Sequence, residues 1–431
     1  MKVTINPNGQ AKQLTITITD VDWEQVQQGN FYAGEQVVQQ LLSLSGRELT
    51  RQLLASKDTQ EPTLEDGGQT WYRKEASAGH YQTLYGPITV KRHTYQTSAG
   101  GETRCPLEEA CQLSFGTATP RLAEVLSFKL AALTPREVEQ DLATAHQLQL
   151  SASFIQQTAQ QVGQLAVEKA ERWRLSSQPP ARPVLTIATG LDGTTLPVVG
   201  EDYKEAMCGT LALYDAAGER LSTDYLGAMP ETGKATFTRL FTTRVGEVLS
   251  RYPGALQVCL ADGAAWNWQL IATYYPEAIW ILDFYHAAQH LAQAADLIFG
   301  KAPSAEKTTW YENWRTALRD EADGVAGVIR SLIYYRNRRR FSAAAARDLE
   351  KEINYFRTNA DKMHYADYLA AGLPIGSGVT EAGCKELIKA RFCRSGMRWK
   401  RETGARILHL RAIRLSNQWE SFWQKVMRYA A

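Results

Sequence analysis

Three carboxylates in this chain stand in sequence contexts that favour chemistry. Asp192 and Asp262 each follow a run of β-branched and apolar residues typical of a buried strand. The segment Gly376–Lys385 places Glu381 in the first turn of a predicted helix. Converging carboxylates offer the hard oxygen ligands that Mg²⁺ or Mn²⁺ prefers, and such ions can hold the attacking and leaving oxygens of a phosphoryl transfer.

Each of these residues is weak support for a site when it is considered alone. Asp192 and Asp262 are both followed by glycine, and Asp-Gly is a common turn. Glu381 alone is a favourable charge near a helix start, where Ser377 or Thr380 is predicted to cap. The joint pattern favours a site, because functional groups in open α/β sheets gather at the carboxyl ends of strands.

Two further groups are predicted to support these carboxylates. Asp283 ends another predicted strand and His286 follows in the first turn of a helix, so the pair either contacts a site carboxylate or a DNA phosphate, or simply caps and packs the helix. We do not assign either residue as a metal ligand. Lys385 and Lys389 follow Glu381 at helical spacing and are predicted to face the site, where they would steady substrate phosphates.

The elements around these residues predict an α/β architecture. After a linker at Ser176–Pro183, three predicted strands are followed by alternating helices and strands, with Asp192 expected to follow the first strand. This is the order of a ribonuclease-H-like fold. Residues 302–372 are predicted to be helical and charged, and we interpret them as an inserted helical subdomain before Glu381.

A helix-turn-helix is predicted upstream, where a helix capped by Thr134 is followed by a short turn and a second helix capped by Ser151 or Ser153. Val138 and Leu142 are predicted to face inward. Glutamine pairs well with adenine, so the polar face of the second helix is a candidate base reader. Its polar residues are Gln156, Gln157, Thr158 and Gln160. The alternative is an ordinary helical hairpin that packs on its neighbour.

Composition narrows the class of protein. The chain has 431 residues, of which 44% are hydrophobic, and no apolar run approaches the roughly 20 residues of a membrane helix. The N-terminus lacks the apolar stretch of a secretory signal, so we expect a cytoplasmic protein without a membrane partner. Six scattered cysteines do not suggest a disulfide framework. Cys105 and Cys111 resemble half of a zinc site, but no second pair completes it, and their role stays open.

The charge is distributed unevenly. From Cys384 onward there are twelve Lys and Arg against three Asp and Glu, a net of 12 − 3 = +9, so the rest of the chain carries +2 − 9 = −7. Aromatic residues interleave these cations, which favours a folded surface for a polyanion over a solvated basic helix. The candidate phosphate contacts are Arg338, Arg339 and Arg340 in the insertion, and Lys389, Arg394, Arg398, Lys400 and Arg401 in the tail.

Four segments carry a resemblance to a known family. They are Leu260–Trp268, Ile281–Ala287, Pro374–Lys385 and Arg394–Trp399. Together they resemble bacterial insertion-sequence transposases of the ISKra type, which are DDE enzymes distantly similar to Mutator-like transposases. The resemblance covers roughly residues 120–425, and the N-terminal part more loosely.

The resemblance implies that Asp192, Asp262 and Glu381 are the catalytic triad and hold two Mg²⁺ or Mn²⁺ ions per active site. The separation of 381 − 262 = 119 residues is similar to a catalytic core interrupted by a helical insertion. The Asp283…His286 pair resembles the Asp/Cys-x-x-His element of Mutator-like relatives. Relatives also carry additional cysteines near residues 93–111 that this chain lacks.

These expectations combine into one functional hypothesis. The chain would bind the terminal inverted repeats of an insertion sequence, cleave at its ends and transfer strands into double-stranded target DNA, as a homodimer or larger assembly near the bacterial nucleoid. The alternatives are a ribonuclease-H-like nuclease without strand transfer and a non-catalytic, transposase-derived DNA-binding protein. The predicted parts are a mixed α/β region (1–118), the helix-turn-helix (119–175), the first part of the core (184–300), the insertion (301–373), and the Glu381 helix with a basic region (374–431).

Overall fold

The computed structural model describes residues 2–7 and 14–430, and the side chains of residues 15–429. It confirms the predicted α/β class, with a mixed sheet surrounded by helices. The chain divides into two compact units, Met1–Lys169 together with Trp419–Ala431, and Ala170–Gln418. The last helix therefore groups with the first unit, whereas the sequence suggested one segment over 374–431.

The first unit combines small antiparallel sheets with helices. Its buried centre includes Leu54, Tyr81, Ile88, Val90 and Leu107. Its elements are β1 (Lys2–Pro7), β2 (Leu14–Thr19), α1 (Trp23–Gln28), α2 (Phe31–Ala55), β3 (Thr63–Asp66), β4 (Gln69–Arg73), β5 (Ser77–Thr83), β6 (Gly86–Arg92), β7 (Tyr95–Thr97), α3 (Pro106–Ala110), α4 (Pro120–Leu130), α5 (Pro135–His146), α6 (Ala152–Lys169) and α17 (Trp419–Ala430).

Helices α5 and α6 form where the sequence predicts a helix-turn-helix. The N–H of Glu137 donates to Thr134 Oγ1 at 3.2 Å and the N–H of Thr134 donates to Glu137 Oε2 at 2.7 Å, which is a complete capping box. Val138 and Leu142 are fully buried, as predicted. Of the two candidate caps for α6, Ser151 accepts the helix N–H.

The second unit is built on a five-stranded sheet. Its elements are β8 (Thr186–Pro197), β9 (Tyr203–Tyr214), β10 (Arg220–Ala228), α7 (Ala235–Arg251), β11 (Leu256–Ala261), α8 (Ala265–Tyr274), β12 (Ile279–Leu282), α9 (Phe284–Phe299), α10 (Ala305–Asp320), α11 (Gly324–Arg338), α12 (Ala343–Asn359), α13 (Tyr365–Ala370), α14 (Gly378–Gly383), α15 (Ala390–Phe392) and α16 (Arg401–Leu415). Strands and helices occur in the predicted order, and residues 302–372 are largely helical, as predicted.

The strand order of this sheet is β10-β9-β8-β11-β12. Strands β8, β9 and β10 are antiparallel neighbours, whereas β11 lies parallel to both β8 and β12. One face packs against α7 and α8 through residues such as Ile187 and Cys259. The other packs against α9 and the insertion helices α10–α13 through residues such as Val258 and Leu260. In the described part of the chain, no helix has the length and hydropathy required to cross a membrane.

Candidate active site

The first two predicted carboxylates lie at corresponding positions of two neighbouring parallel strands, Asp192 within β8 and Asp262 directly after β11. Leu260 of β11 pairs in register with Gly190 of β8 on one side and with Ile281 of β12 on the other. Asp192 follows Gly190 by two residues, and Asp262 follows Leu260 by two residues. Side chains two residues apart on a strand share a face. Asp192 therefore lies on the same face of β8 as Gly190, against which α14 packs, and Asp262 is the first residue after β11.

The position of Asp192 within its strand differs from the prediction. Asp192 was expected to follow the strand, but β8 continues through Gly193 and Thr194 to Pro197, paired with β9 along its whole length. The β-branched residues after Asp192 extend the strand rather than making a turn. Because β11 ends at Ala261, Asp192 still lies where the neighbouring parallel strand stops.

Asp192 is a half-buried carboxylate with two hydrogen bonds. Its Oδ1 accepts the Gly193 N–H at 2.7 Å and its Oδ2 accepts the Cys384 thiol at 3.3 Å. Burial raises the pKa of Asp192, and the negative charges of Asp262 and Glu381 raise it further, while both hydrogen bonds act in the opposite direction. The three predicted carboxylates therefore interact electrostatically within one site.

This raised pKa predicts the effect of Asp192→Asn on stability. The ionised carboxylate is less favourable in the folded protein than in the unfolded chain, so removing the charge should raise the midpoint of thermal unfolding at neutral pH. This increase in the unfolding midpoint should vanish as the pH falls through the raised pKa, because Asp192 of the wild type is then protonated and also uncharged. Thermal unfolding of both proteins from pH 4 to pH 8 measures this. A midpoint lower than the wild type's at neutral pH would contradict it.

Asp262 is held by the turn that follows β11. Its Oδ1 accepts the Ala264 N–H at 3.1 Å and the Asn267 side-chain N–H at 3.0 Å. Gly263 has a φ of 98°, a left-handed conformation that favours glycine. Buried Asn267 also donates to the Leu191 carbonyl at 3.4 Å, which connects this turn to β8. Asn267 was missed in the sequence because it is one of several polar residues of α8, and no local pattern distinguishes it from Gln269 and Thr273.

Asp283 organises the helix that carries Glu381. Ser377 precedes α14 but makes no side-chain cap, so the predicted Ser377 or Thr380 cap is wrong. Instead the N–H of Ser377 donates to Asp283 Oδ2 at 2.6 Å, and the N–H of His286 donates to Asp283 Oδ1 at 2.8 Å. Asp283 is only 1% exposed, and it joins the starts of α9 and α14.

Helix α14 lies directly on β8 and β9. The hydroxyls of Thr380 and Thr210 are hydrogen-bonded at 2.7 Å. A Cβ on Gly190 would lie 1.9 Å from Thr380 Oγ1, and a Cβ on Gly383 would lie 3.0 Å from Thr210 Cγ2. Glycine at both positions permits this close approach, which places the Glu381 helix beside Asp192.

The helix changes its winding immediately after α14. Residues Cys384–Lys389 form a π-helical segment rather than the continuous α-helix predicted. The α-helical spacing that related Lys385 and Lys389 to Glu381 therefore does not apply, although both lysines are exposed. The wider turn carries the buried Cys384, whose thiol meets Asp192.

The insertion contributes a residue that the sequence did not indicate. Tyr355 of α12 stacks on the His290 ring with centroids 3.6 Å apart, and His290 Nδ1 lies 2.7 Å from Glu352 Oε2. Burial raises the pKa of Tyr355, and the charges of Asp262 and Asp283 raise it further. No local pattern could have found Tyr355, because it is 355 − 262 = 93 residues from Asp262 in sequence.

The surroundings of His286 match the second of the two predicted roles, a histidine that packs within the helix rather than one that contacts a site carboxylate or a phosphate. Its ring makes an edge-to-face contact with the His290 ring at 5.3 Å between centroids. Together with the Asp283 cap described above, this contact matches the interpretation of the pair as a helix cap beside a packed histidine. Asp283 nevertheless supports the site through the start of α14.

The predicted cations of the insertion differ in their surroundings. Arg339 donates to the Ile298 carbonyl at 2.7 Å and pairs with Glu306 at 3.0 Å, so its guanidinium holds the insertion against α9. Arg338 lies over a neighbouring tyrosine ring and is exposed. Arg340 is also exposed. These last two are better placed than Arg339 to contact a phosphate.

The predicted cations of the tail also separate into two groups. Arg401 pairs with Glu201 at 3.0 Å and donates to the Pro230 carbonyl at 2.9 Å, and Arg394, just after α15, donates to the Ala390 carbonyl at 3.2 Å. These contacts are structural. Lys389, Arg398 and Lys400 are exposed, and Arg401 is exposed as well although it makes these contacts.

The candidate base readers of α6 are partly accessible. Gln156 and Gln157 are exposed and Gln160 is half-buried. Thr158 is 2% exposed, so the prediction that it belongs to the polar face is wrong. Its position packs inward because it follows buried Ile155 by three residues.

Preformed metal cages are absent from the described residues. Cys105 and Cys111 flank α3 with free thiols, and no three His, Cys, Asp or Glu side chains in residues 15–429 already stand as close as the ligands of one ion. The charges of Asp262 and Glu381 contribute to the raised pKa of Asp192, although the three residues do not form such a cluster.

No family model matches the chain, and no curated protein matches it closely enough to indicate common descent.

Proposed function

We propose that the chain is a metal-dependent DNA transposase of the DDE type, which cleaves at the ends of an insertion sequence and joins them to target DNA. The observation that carries this proposal is the alignment of Asp192 and Asp262 on adjacent parallel strands, with Glu381 on a helix seated on β8 and β9. The sheet order β10-β9-β8-β11-β12, with its antiparallel and parallel halves, supports a ribonuclease-H-like core.

The donor set fits a divalent cation in its chemistry. Asp192, Asp262 and Glu381 supply only oxygen ligands, and their mutual repulsion is what a bound cation relieves. Asp192, Asp262 and Glu381 would together hold two such ions. When bound, the ions supply charge stabilisation to the reacting phosphate and lower the barrier to attack by water or a DNA 3′-hydroxyl.

The protein's own residues orient these carboxylates. Asn267 and the turn after β11 fix Asp262, Cys384 and Gly193 fix Asp192, and Asp283 fixes the start of the Glu381 helix. Precise orientation matters because misplacement of reacting groups by about 1 Å can cost on the order of 100-fold in rate. The core thus provides a rigid support for the reaction.

DNA binding is proposed for two further parts of the chain. Helices α5 and α6 would read the terminal repeats as a helix-turn-helix, with Gln156 and Gln157 as exposed candidates. The exposed cations of the insertion and tail would contact phosphates, so binding should weaken steeply with salt. A homodimer or larger assembly would hold both ends of the insertion sequence.

The test uses linear double-stranded DNA that carries the ends of the insertion sequence, with Mg²⁺ and a circular target. Cleavage at the ends followed by joined products supports the transposase. Nicking without joined products would favour the nuclease. Specific binding of the ends without cleavage would favour a DNA-binding protein derived from a transposase.

A further inference from the structure

The Tyr355 hydroxyl has no hydrogen-bond partner among the described residues although it is buried. It lies beside the turn after β11, where a Cβ built on Gly263 would be 3.6 Å away. A buried hydroxyl without a partner destabilises a protein, so its retention needs a reason.

The ring of Tyr355 is held in place by the stacked ring of His290. The His290 ring stacks on it with an interplanar angle of 17°, and His290 is in turn held by Glu352 at 2.7 Å. This stack connects α12 of the insertion to α9 of the core. The hydroxyl is therefore directed at the site by packing and cannot easily turn toward another acceptor.

Three carboxylates lie within electrostatic range of the phenol: Asp262, Asp283 and Glu352. Glu352 belongs to the same helix as Tyr355, and its Oε2 lies 2.7 Å from His290 Nδ1. Both oxygens of Asp283 already accept a backbone N–H, from His286 and from Ser377. For Asp262, the hydrogen bonds of the described residues all go to Oδ1, from Ala264 and Asn267. The Tyr355 hydroxyl lies against Gly263, the residue after Asp262, so Oδ2 of Asp262 is the best-placed acceptor among these carboxylates.

We propose that Tyr355 is a positioning residue for Asp262, which donates its phenolic O–H to Asp262 Oδ2 when the carboxylate holds a divalent cation. The inference rests on the proposed function, because it assigns Asp262 as a metal ligand. Ligating carboxylates are themselves held by hydrogen bonds from outer residues, and removing such a partner costs roughly 10- to 100-fold in metal affinity or activity. The insertion would thus complete the site rather than only interrupt the chain.

The test compares the wild type with Tyr355→Phe, which removes only the hydroxyl. Mn²⁺ binding is measured by calorimetry without DNA, and thermal unfolding is measured without divalent ions. We expect Tyr355→Phe to bind Mn²⁺ about 10- to 100-fold more weakly. Its unfolding midpoint should be unchanged or raised, because the lost hydroxyl had no partner in the protein alone.

Tyr365→Phe is the matched control, because the Tyr365 hydroxyl is buried but donates to the Leu282 carbonyl at 2.9 Å. This variant should unfold at a lower temperature and bind Mn²⁺ as the wild type does. The proposal is overturned if Tyr355→Phe binds Mn²⁺ with wild-type affinity. It is also overturned if Tyr355→Phe lowers the unfolding midpoint as much as Tyr365→Phe, because the hydroxyl then already has a partner in the protein.

A third variant separates this inference from the proposed function. Asp262→Asn should abolish the Mn²⁺ binding of the wild type. If it does so and Tyr355→Phe has no effect, only the role of Tyr355 is wrong. If wild-type Mn²⁺ binding is missing or survives in Asp262→Asn, the metal assignment fails and the inference fails with it.

Discussion

Asp262→Asn is expected to reduce DNA cleavage by about a thousandfold or more while leaving binding of the insertion-sequence ends nearly intact. The substitution keeps the shape of the side chain and its acceptor for Ala264 and Asn267, but removes the charge that would hold a cation. Charge stabilisation by a bound metal is worth several kcal/mol, and each 1.36 kcal/mol is tenfold in rate. Cleavage rates at saturating DNA and a separate binding titration measure the two effects.

Asp348→Asn is the control for loss of one negative charge. Asp348 is exposed on α12 and pairs with Lys351 at 2.8 Å, away from the strand-end carboxylates. It should cleave at the wild-type rate. Wild-type cleavage by Asp262→Asn would show that the metal assignment is wrong, and equal loss in both variants would show that net charge rather than the site is responsible.

Gly190→Ala is expected to lower both stability and cleavage. The new Cβ would lie 1.9 Å from Thr380 Oγ1, so α14 must move away from the sheet and carry Glu381 with it. Overpacking of this kind costs about 1–3 kcal/mol, and a displacement of about 1 Å can cost on the order of 100-fold in rate. Chemical denaturation and the cleavage assay measure the two effects.

Two variants make that result specific. Gly246→Ala adds the same methyl group within α7, where nothing lies within 4 Å, and should stabilise the protein by about 0.5–1 kcal/mol. Combining Gly190→Ala with Thr380→Ala removes the clashing hydroxyl and should restore part of the lost activity. If Gly190→Ala has the same effect on stability and cleavage as Gly246→Ala, the close packing of α14 against β8 is wrong.

The positions of Asp192 and Asp262 could be predicted because the sequence pattern that indicates each of them is local. Each follows an apolar run that makes a strand, and Asp192 and Asp262 reach the same edge once those strands pair in parallel. The α/β class and the order of elements follow from the same periodicity. The local pattern did not indicate that the strand continues beyond Asp192. The Asp-Gly pair favours a turn, but pairing with β9 keeps these residues in the strand.

The supporting residues could not be predicted because their partners are distant in sequence. The cap of α14 comes from Asp283, and the ring beside Asp262 comes from Tyr355 of the insertion. Likewise, helical periodicity in the sequence indicates neither the π-helical segment Cys384–Lys389 nor the contact of Cys384 with Asp192. The roles of these residues become apparent only from their tertiary contacts.

The most direct measurement of the central claim compares wild type with Glu381→Gln on DNA that carries the insertion-sequence ends, in Mg²⁺. We expect cleaved and joined products from the wild type and neither from Glu381→Gln, with equal binding of the ends by both proteins. Cleavage and joining by Glu381→Gln at the wild-type rate would contradict the assignment of the three carboxylates, because the third would then not be needed for the reaction.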